Sequence, residues 1–297
     1  MNDPNSFLAG RRVAIIGLGL MGGSLALALR GRVAELLAAD PDPATRMLAH
    51  ERQIVDQVVA DPVEIISLAD VIILAAPVRA ILAHIHLLGD MTIHSQRLKE
   101  PQPPISPIVL DLGSTKQEIV EAMKTLPEIF DPLGGHPMCG KEISGLAHAD
   151  ADIFRGATFA FTPLERTGPR AHIFAEALVE AVGAVPLWID PATHDRWVAA
   201  TSHLPYLLAN ALAGVTPAEV APLIGPGFRS TSRLAPSSLS VMLDILRTNR
   251  QPVLEALQLF QTQVEGIEKS LVEGDFTELS HLLADGARRH QSLVQPR

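Results

Sequence analysis

The feature that most restricts how this chain can fold is Gly17-Leu18-Gly19-Leu20-Met21-Gly22, directly behind the apolar run Arg12-Val13-Ala14-Ile15-Ile16. A short apolar run bounded by glycine reads as a strand buried on both faces, and residues 21–29 continue at helical spacing. In that context each glycine has a task. Gly17 permits the tight turn, Gly19 lets a pyrophosphate approach the backbone, and Gly22 lets helix and strand pack closely. The helix N-terminus then offers unpaired N–H groups and a positive dipole to phosphates. A second strand, Glu35-Leu36-Leu37-Ala38-Ala39-Asp40, ends in an acid 18 residues after Gly22. A carboxylate there accepts bonds from ribose hydroxyls and repels a 2′-phosphate. The spacing predicts a Rossmann-type site for NAD rather than NADP. Asp40 has a second reading as a cap on the turn before Pro41, and Arg46 is the nearest basic residue that would favour NADP.

The alternation of strand and helix continues. Val71-Ile72-Ile73-Leu74-Ala75-Ala76 is stopped by Pro77, which has no N–H for a ladder. Leu20, Met21, Ala76 and Pro77 join Gly17, Gly19, Gly22 and Asp40 in the expected cofactor-binding set. Ile108-Val109-Leu110-Asp111-Leu112, Thr158-Phe159-Ala160-Phe161-Thr162 and Val185-Pro186-Leu187-Trp188-Ile189 are further strands, giving a mostly parallel sheet. Residues 89–107 hold Pro101, Pro103, Pro104 and Pro107 and read as an extended surface loop. Past Pro191 only helical periods remain. One spans 193–212 with Thr193 as N-cap and a kink at Pro205, and others span 237–247, 252–272 and 276–293. The fold class is therefore α/β, with a Rossmann domain over 1–190 and an all-helical domain over 191–297. Val253, Leu257, Phe260, Val264, Ile267 and Leu271 form a coiled-coil-like stripe, either an internal seam or the interface of a homodimer.

Bulk numbers narrow the partners. A formal net charge of −9 opposes binding to a phosphate backbone, and 4% aromatic residues offer few platforms for base stacking. A local cluster of Arg, Lys and His can still hold a small anionic substrate, because distant charges are screened. No apolar run is long enough to span a bilayer, and Met1-Asn2-Asp3-Pro4 lacks the pattern of a signal peptide. One cysteine, Cys139, suits a reducing, cytoplasmic setting. The histidines show no HxH or HExxH spacing, so no metal site is expected.

Four more stretches complete a recognisable pattern: Asp111-Leu112-Gly113-Ser114-Thr115-Lys116, Gly134-Gly135-His136-Pro137-Met138-Cys139-Gly140-Lys141-Glu142, His194-Asp195 with Ser202-His203-Leu204-Pro205, and Gly227-Phe228-Arg229-Ser230-Thr231-Ser232-Arg233. With the glycine loop they resemble the prephenate dehydrogenase family of tyrosine biosynthesis, from about Arg12 to the C-terminal helices. The related arogenate dehydrogenases share much of the pattern. The resemblance implies NAD-dependent conversion of prephenate, a small dianion, to 4-hydroxyphenylpyruvate by a homodimer joined through its C-terminal helices. Since two domains occupy the chain, a monofunctional enzyme without mutase or ACT domain is expected.

That chemistry needs a proton acceptor at the substrate hydroxyl, a nicotinamide beside the carbinol carbon, and cations for two carboxylates. The resemblance makes His136 the base, and an imidazole titrates near working pH. It makes Ser114 a partner of His136 and of the nicotinamide, although Ser114 also reads as a helix cap. Arg233, then Arg229, are the expected carboxylate clamps, since a guanidinium fork matches a carboxylate. Ser230 departs from the acid often found after the first arginine. His203 is implied as a pocket residue; it lies within about 80° of Asp195 on a helix. Glu142 is implied as a gating or substrate-side acid, and Lys116 as a positive charge at the mouth, or else an exposed helix lysine. Cys139 reads as an apolar filler rather than a nucleophile. Rival readings are a β-hydroxyacid or imine reductase, which relies on a lysine in its helical half, and a non-catalytic NAD-sensing module.

Overall fold

The apolar runs pair into one eight-stranded sheet. In the computed structural model, which describes residues 4–97, 106–141 and 143–294, the strands are β1 Arg12–Ile16, β2 Glu35–Ala39, β3 Gln57–Val59, β4 Val71–Leu74, β5 Ile108–Asp111, β6 Asp131–Pro137, β7 Thr158–Pro163 and β8 Val185–Trp188. Their spatial order is β3-β2-β1-β4-β5-β6-β7-β8. Every pair is parallel except β6 with β7. Period-2 alternation sends Val13 and Ile15 of β1 to one face and Ala14 and Ile16 to the other, where each pair enters a separate core cluster. Burial on both faces is why these strands read as unbroken apolar runs.

Helices cover both faces. In chain order they are α1 Pro4–Ala9, α2 Leu20–Leu29, α3 Pro43–Glu51, α4 Val63–Ile66, α5 Val78–Arg97, α6 Gln117–Lys124, α7 Pro169–Val182, α8 Pro191–Val198, α9 Leu204–Val215, α10 Pro226–Thr231, α11 Leu239–Thr248, α12 Arg250–Glu273 and α13 Phe276–Val294. Leu25 and Leu29 of α2 and Phe174 and Leu178 of α7 fill one core. Ile65 of α4, Ile81 and Ile85 of α5, and Ile119 and Met123 of α6 fill the other. Fully burying each such side chain is worth about 1.5–3 kcal/mol.

Three expectations need correction. The segment 89–107 is not one extended loop: α5 continues through Arg97 because its prolines begin only at Pro101; residues 98–105 lie outside the described residues. The single helix over 193–212 is in fact α8, a π-helical turn over Ala199–His203, and α9. Pro205 cannot donate to the Thr201 carbonyl, and the expected kink takes the form of that π turn. Thr193 is not the N-cap either. Asp190 is, accepting from Thr193 N at 2.9 Å, with Pro191 opening the helix.

The chain divides into two compact units, Met1–Asn249 and Arg250–Arg297. In the first, α8 packs on α6 and α11 on α5. The second is the pair α12 and α13, joined at Gly274 (φ +68°), with Asp275 capping α13 by accepting from Glu278 N at 3.0 Å. Among the described residues no helix is long and apolar enough to cross a membrane.

Candidate active site

Parallel pairing brings Ile16, Ala39, Leu74 and Asp111 into one row, so the segments after β1, β2, β4 and β5 share the carboxyl edge of the sheet, where ligands bind in such folds. The glycine loop stands there. Gly17 has φ +100°, donates from its N–H to Ala39 O at 2.8 Å, and would put a Cβ 2.6 Å from Ala75 O. A Cβ on Gly22 would lie 1.9 Å from Gly17 O. A Cβ on Gly19, by contrast, would meet nothing within 4 Å, leaving that side of the loop open. Gly19 is the N-cap of α2 and brings no side-chain acceptor to the amide groups of Leu20, Met21 and Gly22. Ala76, after β4, lies beside Gly17, and Pro77 follows it in the chain.

Asp40 is held at two points. Its Oδ2 accepts from Leu18 N at 2.8 Å, inside the loop, and its Oδ1 accepts from Asp42 N at 2.9 Å, across Pro41. A carboxylate has about four lone-pair sites, so acceptor capacity remains for hydroxyls. Arg46 Nη1 is held by the carbonyls of Asp40 and Pro41, both at 2.8 Å. Open space at Gly19, an uncapped helix start and a fixed acid fit a bound dinucleotide.

His136 sits near the end of β6, where Gly134 and Gly135 let strands meet closely. A Cβ on Gly134 would lie 2.1 Å from Thr162 Oγ1, and one on Gly135 2.8 Å from Asp111 O. Half-buried His136 shares a 3.0 Å hydrogen bond between its Nδ1 and Nε2 of His194. His194 Nδ1 lies 2.8 Å from Asp195 Oδ1. Asp195 also spans the start of α6, accepting from Lys116 N at 2.7 Å and Gln117 N at 2.9 Å. Asn249 Nδ2 donates to Asp195 O at 2.8 Å and contacts His203 Nδ1 at 3.1 Å. His136, His194, Asp195, His203 and Asn249 therefore form one connected cluster. Of these, His194 and Asp195 stood in a quoted motif without a role, and Asn249 gave no signal because it follows a helix end and contacts residues remote in sequence.

Other expected residues fall differently. Lys116 is neither at the mouth nor an exposed helix lysine. It is fully buried, ion-paired to Asp111, and donates to Gly135 O at 2.7 Å. The connection from β5 turns it inward, because Asp111 is the acid that can neutralise it in the core. Ser114 lies in the same connection, half-buried. It does not cap α6, whose leading N–H groups go to Asp195, and the Nδ1 partner of His136 is His194. Arg229 on α10 and Arg233 just beyond it are exposed. Glu142 lies outside the described residues.

Burial sets the electrostatics. His136 is held well below the usual imidazole range, chiefly by desolvation and then by His194, Lys116 and His203. His203 is pushed down to about 4, mainly by desolvation and further by His194, with Asp195 opposing. Burial raises Asp111 and lowers Lys116, and their mutual attraction opposes both shifts. Desolvation lifts the Cys139 thiol to about 11, which makes it a poor nucleophile.

The chain as a whole is similar to known proteins. Residues 25–187 match the family described as prephenate dehydrogenase, nucleotide-binding domain, and residues 190–285 match prephenate dehydrogenase, dimerization domain. The chain is 28% identical over 278 residues to a prephenate dehydrogenase of Bacillus subtilis, covering 90% of this chain and 72% of that protein. Among solved structures, a prephenate dehydrogenase of A. aeolicus in complex with hydroxyphenyl propionate and NAD+ superposes with a TM-score of 0.83 at 26% identity, covering 96% of this chain and 99% of that one. An arogenate dehydrogenase of Synechocystis superposes at 0.78 and 27% identity, covering 95% and 100%.

Proposed function

The chain belongs to the prephenate dehydrogenase family, and from that premise we propose that it catalyses NAD-dependent oxidative decarboxylation of prephenate to 4-hydroxyphenylpyruvate. The observation that carries the reading is a hydrogen-bonded, partly accessible histidine, His136, on the same sheet edge as an open glycine loop with a fixed acid. Bound NAD supplies the acceptor for the hydride that leaves the carbinol carbon. His136 takes the hydroxyl proton as the carbinol becomes a ketone. The ring carboxylate then leaves as carbon dioxide, its bonding electrons aromatise the ring, and the phenolate oxygen recovers the proton from His136. Charge and atoms balance without further reactants.

Desolvation around His136 keeps it neutral and able to accept. Ser114, at the start of the β5–α6 connection, touches the nicotinamide side of the site. Arg233 and Arg229 hold the two substrate carboxylates, His203 lines the pocket, and Glu142 guards its entrance. The buried Lys116 leaves the substrate set and instead ties β5 to the residue preceding His136. Residues 1–190 bind the cofactor, residues 191–297 complete the substrate site, and two copies join through the C-terminal helices. The setting is the cytoplasm.

NADH formation by the purified protein tests the assignment, with prephenate and arogenate each offered with NAD and NADP. Turnover of prephenate with NAD is expected. Turnover of arogenate alone would transfer the chain to the arogenate-specific branch, and no turnover of either would sink the reading.

A further inference from the structure

We propose that His194 and Asp195 are positioning residues that fix His136 in its Nδ1–H tautomer and steady the proton it takes up. The proposal rests on His136 being the base of the reaction proposed above. Its logic is a chain of donors and acceptors. Backbone N–H groups can only donate, so both Asp195 oxygens, at 2.7 Å from Lys116 N and 2.9 Å from Gln117 N, are acceptors. The same Oδ1 lies 2.8 Å from His194 Nδ1, so that nitrogen is the donor. A neutral imidazole carries one proton, which leaves His194 Nε2 as an acceptor. The 3.0 Å bond to His136 is therefore donated by His136 Nδ1, and His136 Nε2 keeps its lone pair.

The reverse chain would require a carboxyl proton on an oxygen already engaged by a backbone amide. Local sequence locks the register. Asp190 and Pro191 start α8, which places His194 and Asp195 in succession, and the start of α6 grips the Asp195 carboxylate. Once His136 is protonated, it faces Lys116 and Asp111 from β5 and its connection, His194 and Asp195 from α8, and His203 from the π turn. Asp111 is already paired with Lys116. Among the described residues that leaves Asp195 as the negative group able to offset the new imidazolium, acting through His194.

The test combines histidine nitrogen NMR with kinetics of three variants. In the parent protein, long-range nitrogen–proton correlations should show His136 protonated at Nδ1. Asp195→Asn offers an amide donor to His194 Nδ1 and should reverse the chain, moving the His136 proton to Nε2. His194→Leu deletes the acceptor and should lower kcat by about 10²-fold or more, the scale of general-base catalysis, with KM and NAD affinity changed far less. His194→Gln presents an oxygen near the position of Nε2 and should recover most of the loss.

An Nε2–H tautomer in the parent protein would overturn the proposal. So would equal loss in the Leu and Gln variants, or a Leu variant with kcat within about threefold of the parent, since such a change is well below the general-base scale. The parent spectrum needs neither a variant nor turnover. An inactive parent protein would therefore sink the functional reading, while the tautomer still decides the positioning role.

Discussion

At the scale of single residues, the glycine loop separates two demands that sequence spacing alone cannot distinguish. Gly22 is required by packing, because a Cβ there would press on Gly17 O. Gly19 is required by nothing among the described residues, since its Cβ would enter open space. Gly22→Ala is therefore expected to lower the melting temperature, by overpacking of about 1–3 kcal/mol, and to lose NAD binding with it. Gly19→Ala should melt close to the parent but bind NAD at least about tenfold more weakly, a cost of about 1.4 kcal/mol. Calorimetry of both variants, in melting and in titration, checks the contrast; equal melting losses would remove Gly19 from the cofactor site. Asp40 was readable from its position at a strand end. Lys116 was not, because its partner Asp111 is an ordinary strand-end acid in sequence and only the turn between them buries the pair. His194 escaped assignment for a similar reason: its meaning depends on His136, 58 residues away in sequence.

Among secondary elements, strands with apolar, β-branched residues were legible and β6 was not. Asp131–Pro137 carries two prolines and two glycines, yet it pairs with β5 and β7 because the glycines allow close backbone approach. β3 was missed because three residues cannot show a period. The π turn over Ala199–His203 followed physically from Pro205, but its consequence was not visible in sequence: it buries His203 against Asn249. That burial makes stability depend on pH. His203 titrates near 6.5 when unfolded and at about 4 when folded. Between those values the unfolded chain binds the extra proton, so stability is full above about 6.5 and declines as pH falls toward 4, by about 1.4 kcal/mol per pH unit from this group. His136, shifted the same way, adds to the slope. Chemical denaturation from pH 7 to 4.5 should show the decline, and His203→Asn, which keeps an acceptor for Asn249 but cannot titrate, should flatten it. An unchanged slope would show that other groups govern acid sensitivity.

For the whole molecule, the α/β class and the change from strands to helices near Pro191 were legible because each depends on local periodicity. The division into compact units at Asn249 was not, because it depends on the Asp195 carboxylate and on Asn249 joining segments remote in sequence. The pair α12 and α13 raises the remaining question of scale. Two helices cannot bury their own apolar faces. Within Arg250–Arg297, Leu271 is 55% exposed, Phe276 68% and Leu283 56%. The coiled-coil-like stripe that ends at Leu271 thus lacks cover within a single chain at that end, and residues 190–285 match a family dimerization domain. In the proposed dimer, a second copy provides that cover. Burying one leucine is worth about 1.5–3 kcal/mol, and putting a carboxylate in its place adds a desolvation cost. Leu271→Glu is therefore expected to weaken self-association by about 10²-fold or more, since each tenfold is about 1.4 kcal/mol. The melting of the sheet-containing unit should stay nearly unchanged. Light scattering during size-exclusion chromatography should find a dimer for the parent and a shift toward monomer for the variant at low micromolar concentration. A monomeric parent would end the dimer proposal. A variant that stays dimeric while remaining folded would move the interface to another face of these helices.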